Sequence, residues 1–274
     1  MNTIKEAVGI YIDGCEAKVK SSIGTLMVKA LLAGMMIAMG AAGSSVAAHS
    51  ISNVGLARFV SGAVFPVGLM MVVMLGAELF TGDCLMVMGM AEGKHSALQL
   101  IRVLVLVYFG NMIGSVLFAA ATYGSGQWNY SNGLLGAYTI KVALGKCSLN
   151  FSTAFLSGML CNILVCIAVI MAVCAKDAVG KLLSSFFVIM LFVVGGYEHC
   201  VANMYYIPAG LFAKQNADYV QAAIDQLGVH AEELENLSIS GFFSTNLIPV
   251  TFGNLIGGML VVGLALWYCY GRKE

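Results

Sequence analysis

The sequence predicts an all-α membrane protein, a bundle of six spanning helices in two inverted three-span halves, with the second and fifth spans interrupted. Three observations predict it. Of 274 residues, 59% are hydrophobic and only 10% charged, whereas soluble domains carry nearer a quarter charged residues and have too little interior to hide such apolar surface. Six apolar runs recur, each near the about 20 residues that a helix needs to cross a bilayer core. Two of these runs contain glycine and a carboxylate near mid-length.

In chain order, residues 1–24 form a polar, amphipathic segment that does not read as a cleavable signal. Ile4, Ala7, Val8, Tyr11, Ile12 and Cys15 recur at helical spacing, which predicts a helix lying at the interface or against the bundle. The first span is Leu26 to Ala48, with Lys29 near its start. The second runs from Phe59 to about Met90 and contains Gly76, Glu78, Thr81, Gly82 and Asp83. The third covers about Leu98 to Thr122, and a Gly/Ser/Asn-rich loop follows from Tyr123 to Gly136. The fourth is about Phe151 to Ala175. The fifth, Phe186 to Phe212, is interrupted at Gly195-Gly196-Tyr197-Glu198-His199. A polar stretch, Lys214 to Ser240, precedes the sixth, Phe242 to Tyr270. The organisation is one transmembrane domain with halves at 25–123 and 149–270.

Six spans put both termini on one side. That side holds Lys5, Lys18, Lys20, Lys29, Lys94, Arg102, Lys176, Lys181, Arg272 and Lys273; the other holds Arg58, Lys141, Lys146 and Lys214, a ratio of 10 to 4. Cytoplasmic loops carry the excess of Lys and Arg, so both termini are expected in the cytoplasm.

The two breaks carry the chemistry. Charge and non-helical backbone at membrane depth must face protein or a water-filled path. Each break falls in the second span of its half, and paired discontinuous helices in an inverted repeat are a pattern of transport proteins. The plainer alternative is two glycine kinks braced by buried acids. Glu78 and Glu198 read as structural, because a bare carboxylate in the path would repel an anion, whereas one bonded to broken backbone would hold it. Gly34 with Ala38, Gly110 with Gly114, and Gly253 with Gly257 and Gly258 permit close helix contact.

Other classes find little support. Net charge is zero, with no basic patch for nucleic acid. The 8 cysteines form no CxxC pair, and no Cys/His cluster points to a metal. No cofactor motif, nucleotide-binding motif or nucleophile–base set points to an enzyme or an ATP-driven pump. A neutral-solute pore is the more distant alternative; paired Asn-Pro-Ala motifs are absent, the only prolines being Pro66, Pro208 and Pro249.

Gly76-Ala77-Glu78-Leu79-Phe80-Thr81-Gly82, followed by Tyr197-Glu198-His199-Cys200-Val201-Ala202-Asn203-Met204, resembles the formate/nitrite transporter family. Leu160-Cys161-Asn162, Leu164-Val165-Cys166, Pro249-Val250-Thr251 and Gly253-Asn254 extend the likeness over roughly residues 5 to 270. The resemblance implies an aquaporin-like homopentamer in membrane lipid, in the bacterial cytoplasmic (inner) membrane. Each protomer would pass small anions of weak acids, formate first, with nitrite and hydrosulfide as alternatives. By position, His199 is similar to the family's central pore histidine and Thr81 to the threonine of the mobile loop facing it. Phe65, Leu69 and Phe192 resemble the cytoplasmic constriction, and Leu79 and Phe80 the loop near the periplasmic one. Lys146 resembles the basic residue of the periplasmic vestibule, and Asn162 and Asn254 polar residues near the histidine. Gly82-Asp83-Cys84 departs from the small, hydroxyl-rich stretch common in formate members. An ordinary buried histidine would merely satisfy its hydrogen bonds, but in an apolar pore His199 could exchange a proton with a weak-acid anion, because a histidine titrates near neutrality.

Overall fold

A computed structural model describes residues 1–271, helical throughout apart from turns and loops. Arg272 and Lys273 of the charge census lie outside the described residues. Among the described residues, six helices are long and apolar enough to span a bilayer: α2 (Ile23–Ala48), α3 (Val54–Leu75), α5 (Ala97–Gly124), α7 (Phe151–Cys174), α8 (Ala178–Gly195) and α11 (Gly241–Gly271). Two short apolar helices, α4 (Phe80–Ala91) and α9 (Cys200–Ala213), continue α3 and α8 beyond their breaks. Around these lie α1 (Ile4–Lys20), α6 (Leu134–Cys147) and α10 (Ala217–Leu227).

Helix starts follow the local sequence. Thr3 and Glu6 close a capping box on α1, as Ser96 and Gln99 do on α5, and Ser22, Asn53, Asn150 and Asp177 cap α2, α3, α7 and α8. The capping Asp177 starts the fifth span at Ala178 rather than Phe186, and Asn53 starts the second at Val54 rather than Phe59. The apolar run marks where a helix enters lipid, while the cap marks where its hydrogen bonding begins.

The first and third spans of each half pack at backbone contact. A Cβ on Gly114 would stand 2.0 Å from the Leu31 carbonyl oxygen, and one on Gly253 would stand 2.1 Å from that of Phe155. Such approach lets van der Waals contact hold helices together where lipid removes the hydrophobic drive.

Two helices fall outside the sequence expectations. Helix α6 occupies the connection between the halves, and α10 sits in the 214–240 stretch. Tyr219 and Ala223 of α10 are buried, and the Tyr219 ring lies so close to Gly136 on α6 that a Cβ there would meet it at 2.6 Å. Helix α1 lies against α4, α7 and α11. Its buried face includes Ala7, Val8, Ile12 and Cys15, so the amphipathic pattern is spent on the bundle. Asn2 donates from its backbone to the Cys174 carbonyl at 2.7 Å and from Nδ2 to that of Val173 at 3.0 Å, tying α1 to the end of α7.

Candidate functional site

Both breaks are built alike. Gly76 (φ +62°) and Gly196 (φ +70°) end α3 and α8 in the left-handed region, which glycine enters without steric cost. Three residues later the chain is extended at Leu79 and His199, and α4 and α9 begin at the next residue. The broken backbone is satisfied by one asparagine per half. Asn111 Oδ1 accepts from Phe80 N at 2.9 Å, while Nδ2 donates to the carbonyls of Ala30 (2.7 Å) and Glu78 (3.0 Å). Asn254 Oδ1 accepts from Cys200 N at 2.9 Å, while Nδ2 donates to the carbonyls of Gly158 (2.7 Å) and Glu198 (3.0 Å). Unpaired backbone groups at this depth would each cost several kcal/mol, on the order of what a lost hydrogen bond costs in hydrocarbon.

The lysines repeat too. Lys146 on α6 binds Glu198 Oε1 at 2.9 Å, and Asn203 (2.6 Å) and Asn246 (3.2 Å) donate to Oε2. In the first half Lys18 on α1 binds Glu78 at 2.6 Å and also binds Asp83. Glu78 therefore matches Glu198, Asp83 matches Asn203, and α1 matches α6. Burial alone would lower the Lys18 ammonium; the Asp83 and Glu78 carboxylates more than reverse this and hold it above its ordinary value.

At the centre, Thr81 Oγ1 and His199 Nε2 stand 2.9 Å apart, both buried. His199 Nδ1 accepts from Ala202 N at 3.0 Å, so the imidazole also caps α9. A ring nitrogen that accepts a backbone N–H carries no proton. Neutral His199 therefore keeps its proton on Nε2, donates to Thr81 and leaves the threonine hydroxyl hydrogen free.

Two cavities approach this pair. The first, about 840 Å³, is lined by His49, Arg58, Phe65, Lys141, Lys146, Phe192, Glu198 and His199 among others. The second, about 630 Å³, is lined by Tyr11, Lys18, Leu69, Val72, Leu79, Asp83, Lys176 and Lys181 among others. They lie towards opposite ends of the bundle, the first at the C-terminal end of α2 and the second beside α1. Cations outnumber carboxylates in both. The Phe65 and Phe192 rings meet edge-on with centroids 5.4 Å apart, and Phe192 lies 6.0 Å from the His199 ring.

Apart from Phe80, the residues expected at constrictions divide between the two cavities. Phe65 and Phe192 line the Lys146 cavity, whereas Leu69 and Leu79 line the α1 cavity. One helical turn of α3 separates Phe65 from Leu69, enough to place them at different depths. Phe80 lines neither cavity and packs on Tyr108 at 4.9 Å. Asn162 and Asn254 line neither cavity, because their amides are spent inside the bundle. Asn162 Nδ2 donates to the Asn254 carbonyl at 2.7 Å. Sequence reasoning missed Lys18 and Asn111, although Phe109-Gly110-Asn111-Met112-Ile113-Gly114 and Phe252-Gly253-Asn254-Leu255-Ile256-Gly257 share a visible pattern.

The family described as Formate/nitrite transporter matches residues 5–268. A probable formate transporter of Methanothermobacter thermautotrophicus is 36% identical, with 94% of this chain and 93% of the relative covered. The formate channel FocA of Haemophilus influenzae is 39% identical over 77% of this chain and 73% of its own length. A solved pentameric formate channel with formate bound superposes with a TM-score of 0.83 at 31% identity, covering 91% of this chain and 98% of that one.

Proposed function

The chain belongs to the formate/nitrite transporter family, and from that premise we propose that it is a channel for small monovalent anions of weak acids, formate foremost. We place it in the bacterial cytoplasmic membrane, with both termini in the cytoplasm, as a homopentamer with one pore per protomer. The observation that carries this reading is the Thr81–His199 pair, set between two cation-rich cavities and flanked by Phe65, Phe192, Leu69 and Leu79.

The geometry gives each part a task. Lys, Arg and low-dielectric walls concentrate anions at the mouths. The side chains between the cavities exclude a hydrated ion, so the solute must shed water. Removing a carboxylate from water without compensation is prohibitive, whereas hydrogen bonds or a proton lower that cost. His199 orients Thr81 so that its free hydroxyl hydrogen can be donated to the anion. Protonating His199 at Nδ1 would break the bond from Ala202 N, so this histidine works as a hydrogen-bond donor in the arrangement seen.

The test is uptake by purified protein in liposomes, comparing formate, nitrite, hydrosulfide, acetate and chloride at fixed pH and voltage. Formate should pass fastest and chloride least. Chloride flux equal to formate flux would overturn the weak-acid reading, and preference for nitrite or hydrosulfide would move the assignment within the family.

A further inference from the structure

The mechanism above leaves one cluster unused, the two carboxylates that share Lys18. Glu78 and Asp83 are 5% and 2% exposed. Lys18 occupies one oxygen of each, and Asp83 Oδ2 is buried with no hydrogen-bond partner. The repeat makes the comparison internal. In the second half Lys146 meets one carboxylate, Glu198, and the place of Asp83 is taken by the neutral Asn203. One half thus balances one cation with one anion, while the other puts two acids on one interior cation.

The groups around Asp83 do not restore the balance. Helix α1 presents Lys18, Tyr11 and Cys15, the break presents Glu78, and α7 presents Cys166. Lys29 of α2 reaches Glu78 Oε1 only at 3.7 Å, and its side chain is 45% exposed. Lys176 and Lys181 lie elsewhere on the cavity wall. Two adjacent acids without a second close cation ionise together only at high cost, and such a pair commonly shares one proton. A buried carboxylate oxygen with no donor adds to that cost.

We propose that the Glu78–Asp83 pair binds one exchangeable proton and is the proton donor of the α1-side cavity, resting on the reading of the chain as a weak-acid anion channel. An anion arriving in that cavity takes the proton. The Asp83 carboxyl O–H bond breaks as an anion oxygen lone pair forms the new O–H bond, and the neutral acid goes on toward Thr81. Asp83 is left as a carboxylate held by Lys18 and regains a proton from water in the cavity. His199, with Nδ1 committed to Ala202, is spared this task, and the second half has no equivalent donor.

Asp83→Asn tests the proposal, since it copies the Lys146–Glu198–Asn203 arrangement that the second half already folds around. Infrared difference spectra of the full-length protein in liposomes, titrated over about pH 5 to 8, should show a protonated carboxyl C=O band in the unmodified protein. The band should shift with carbon-13-labelled aspartate or glutamate, and Asp83→Asn should abolish it. In paired uptake and current measurements the variant should lose most of the proton movement that accompanies uptake of the weak acid. A missing band in the unmodified protein, or a band and proton movement unchanged in Asp83→Asn, overturns the proposal. The infrared result needs no substrate, so failure of the unmodified protein to pass any weak-acid anion would sink the functional reading and leave the proton site to be judged separately.

Discussion

His199 is held by two hydrogen bonds, and each makes a different demand on a substitute. Asparagine is a good N-cap and can keep the bond from Ala202 N, but it is too short to reach Thr81 as the imidazole does. His199→Asn should therefore fold and assemble, while formate uptake falls because Thr81 loses the donor that orients it. His199→Phe loses both bonds and should block passage of the weak acid and of its anion. Liposome uptake with an internal pH dye, paired with current under the same gradients, reads this out. Unchanged uptake in His199→Asn would reduce the histidine to a cap. Lys146 makes a different case. It is largely buried and neutralised by Glu198, so Lys146→Gln strands a buried carboxylate, a loss of about 3–5 kcal/mol when one partner of such a pair is removed. Thermal unfolding of the oligomer should fall sharply for Lys146→Gln and largely recover in Lys146→Gln with Glu198→Gln. An isolated mouth charge would instead leave stability unchanged. The sequence made His199, Thr81 and Glu198 legible because a break in an apolar run is conspicuous. It hid Lys18, because a lysine on a polar helix looks solvated until the fold lays that helix across the broken span.

At the scale of elements, the repeat is larger than three spans. Each half begins with a helix that carries a lysine to its break, α1 with Lys18 and α6 with Lys146, and each ends in a span carrying the Phe-Gly-Asn pattern. The apolar runs made the spans legible, since bilayer thickness sets their length. Helix α6 was not legible, because Gly133 and Gly136 gave its start the look of a loop, and that glycine content in fact makes room for Tyr219 of α10. Close packing within each half gives a test that spares the pore. Gly114 touches Leu31 at backbone distance, whereas Gly124 at the end of the same helix has open space around it. Gly114→Leu should destabilise by more than the roughly 1–3 kcal/mol of ordinary overpacking, and Gly124→Ala should be near neutral. Thermal unfolding in mild detergent compares the two. Equal effects would mean that the contact of α2 and α5 is not what holds the first half together.

For the whole molecule, the question is how many times the chain crosses. Helix α6 joins the two halves, and its 14 residues rise only about 21 Å at 1.5 Å per residue, short of the roughly 30 Å hydrocarbon core. It also follows α5 and precedes α7, so a crossing by α6 would invert the second half and carry Lys146 away from Glu198, which it contacts. The fold therefore requires both ends of α6 on one side of the membrane. Pairing Lys18 and Lys146 with buried acids weakens both votes in the charge census, but Lys5, Lys20, Lys29, Lys94, Arg102, Lys176 and Lys181 still outnumber Arg58, Lys141 and Lys214. Reporter fusions at Lys20 and Lys273 should read cytoplasmic, and fusions at Asn132 and Asn150 should both read external. Opposite readings at Asn132 and Asn150 would make α6 a span. Native mass measurement in mild detergent complements this, since a pentamer should appear as five chains. A stable, transport-active monomer would remove the pentamer while leaving the pore intact, because both cavities and the Thr81–His199 pair are built entirely within one chain.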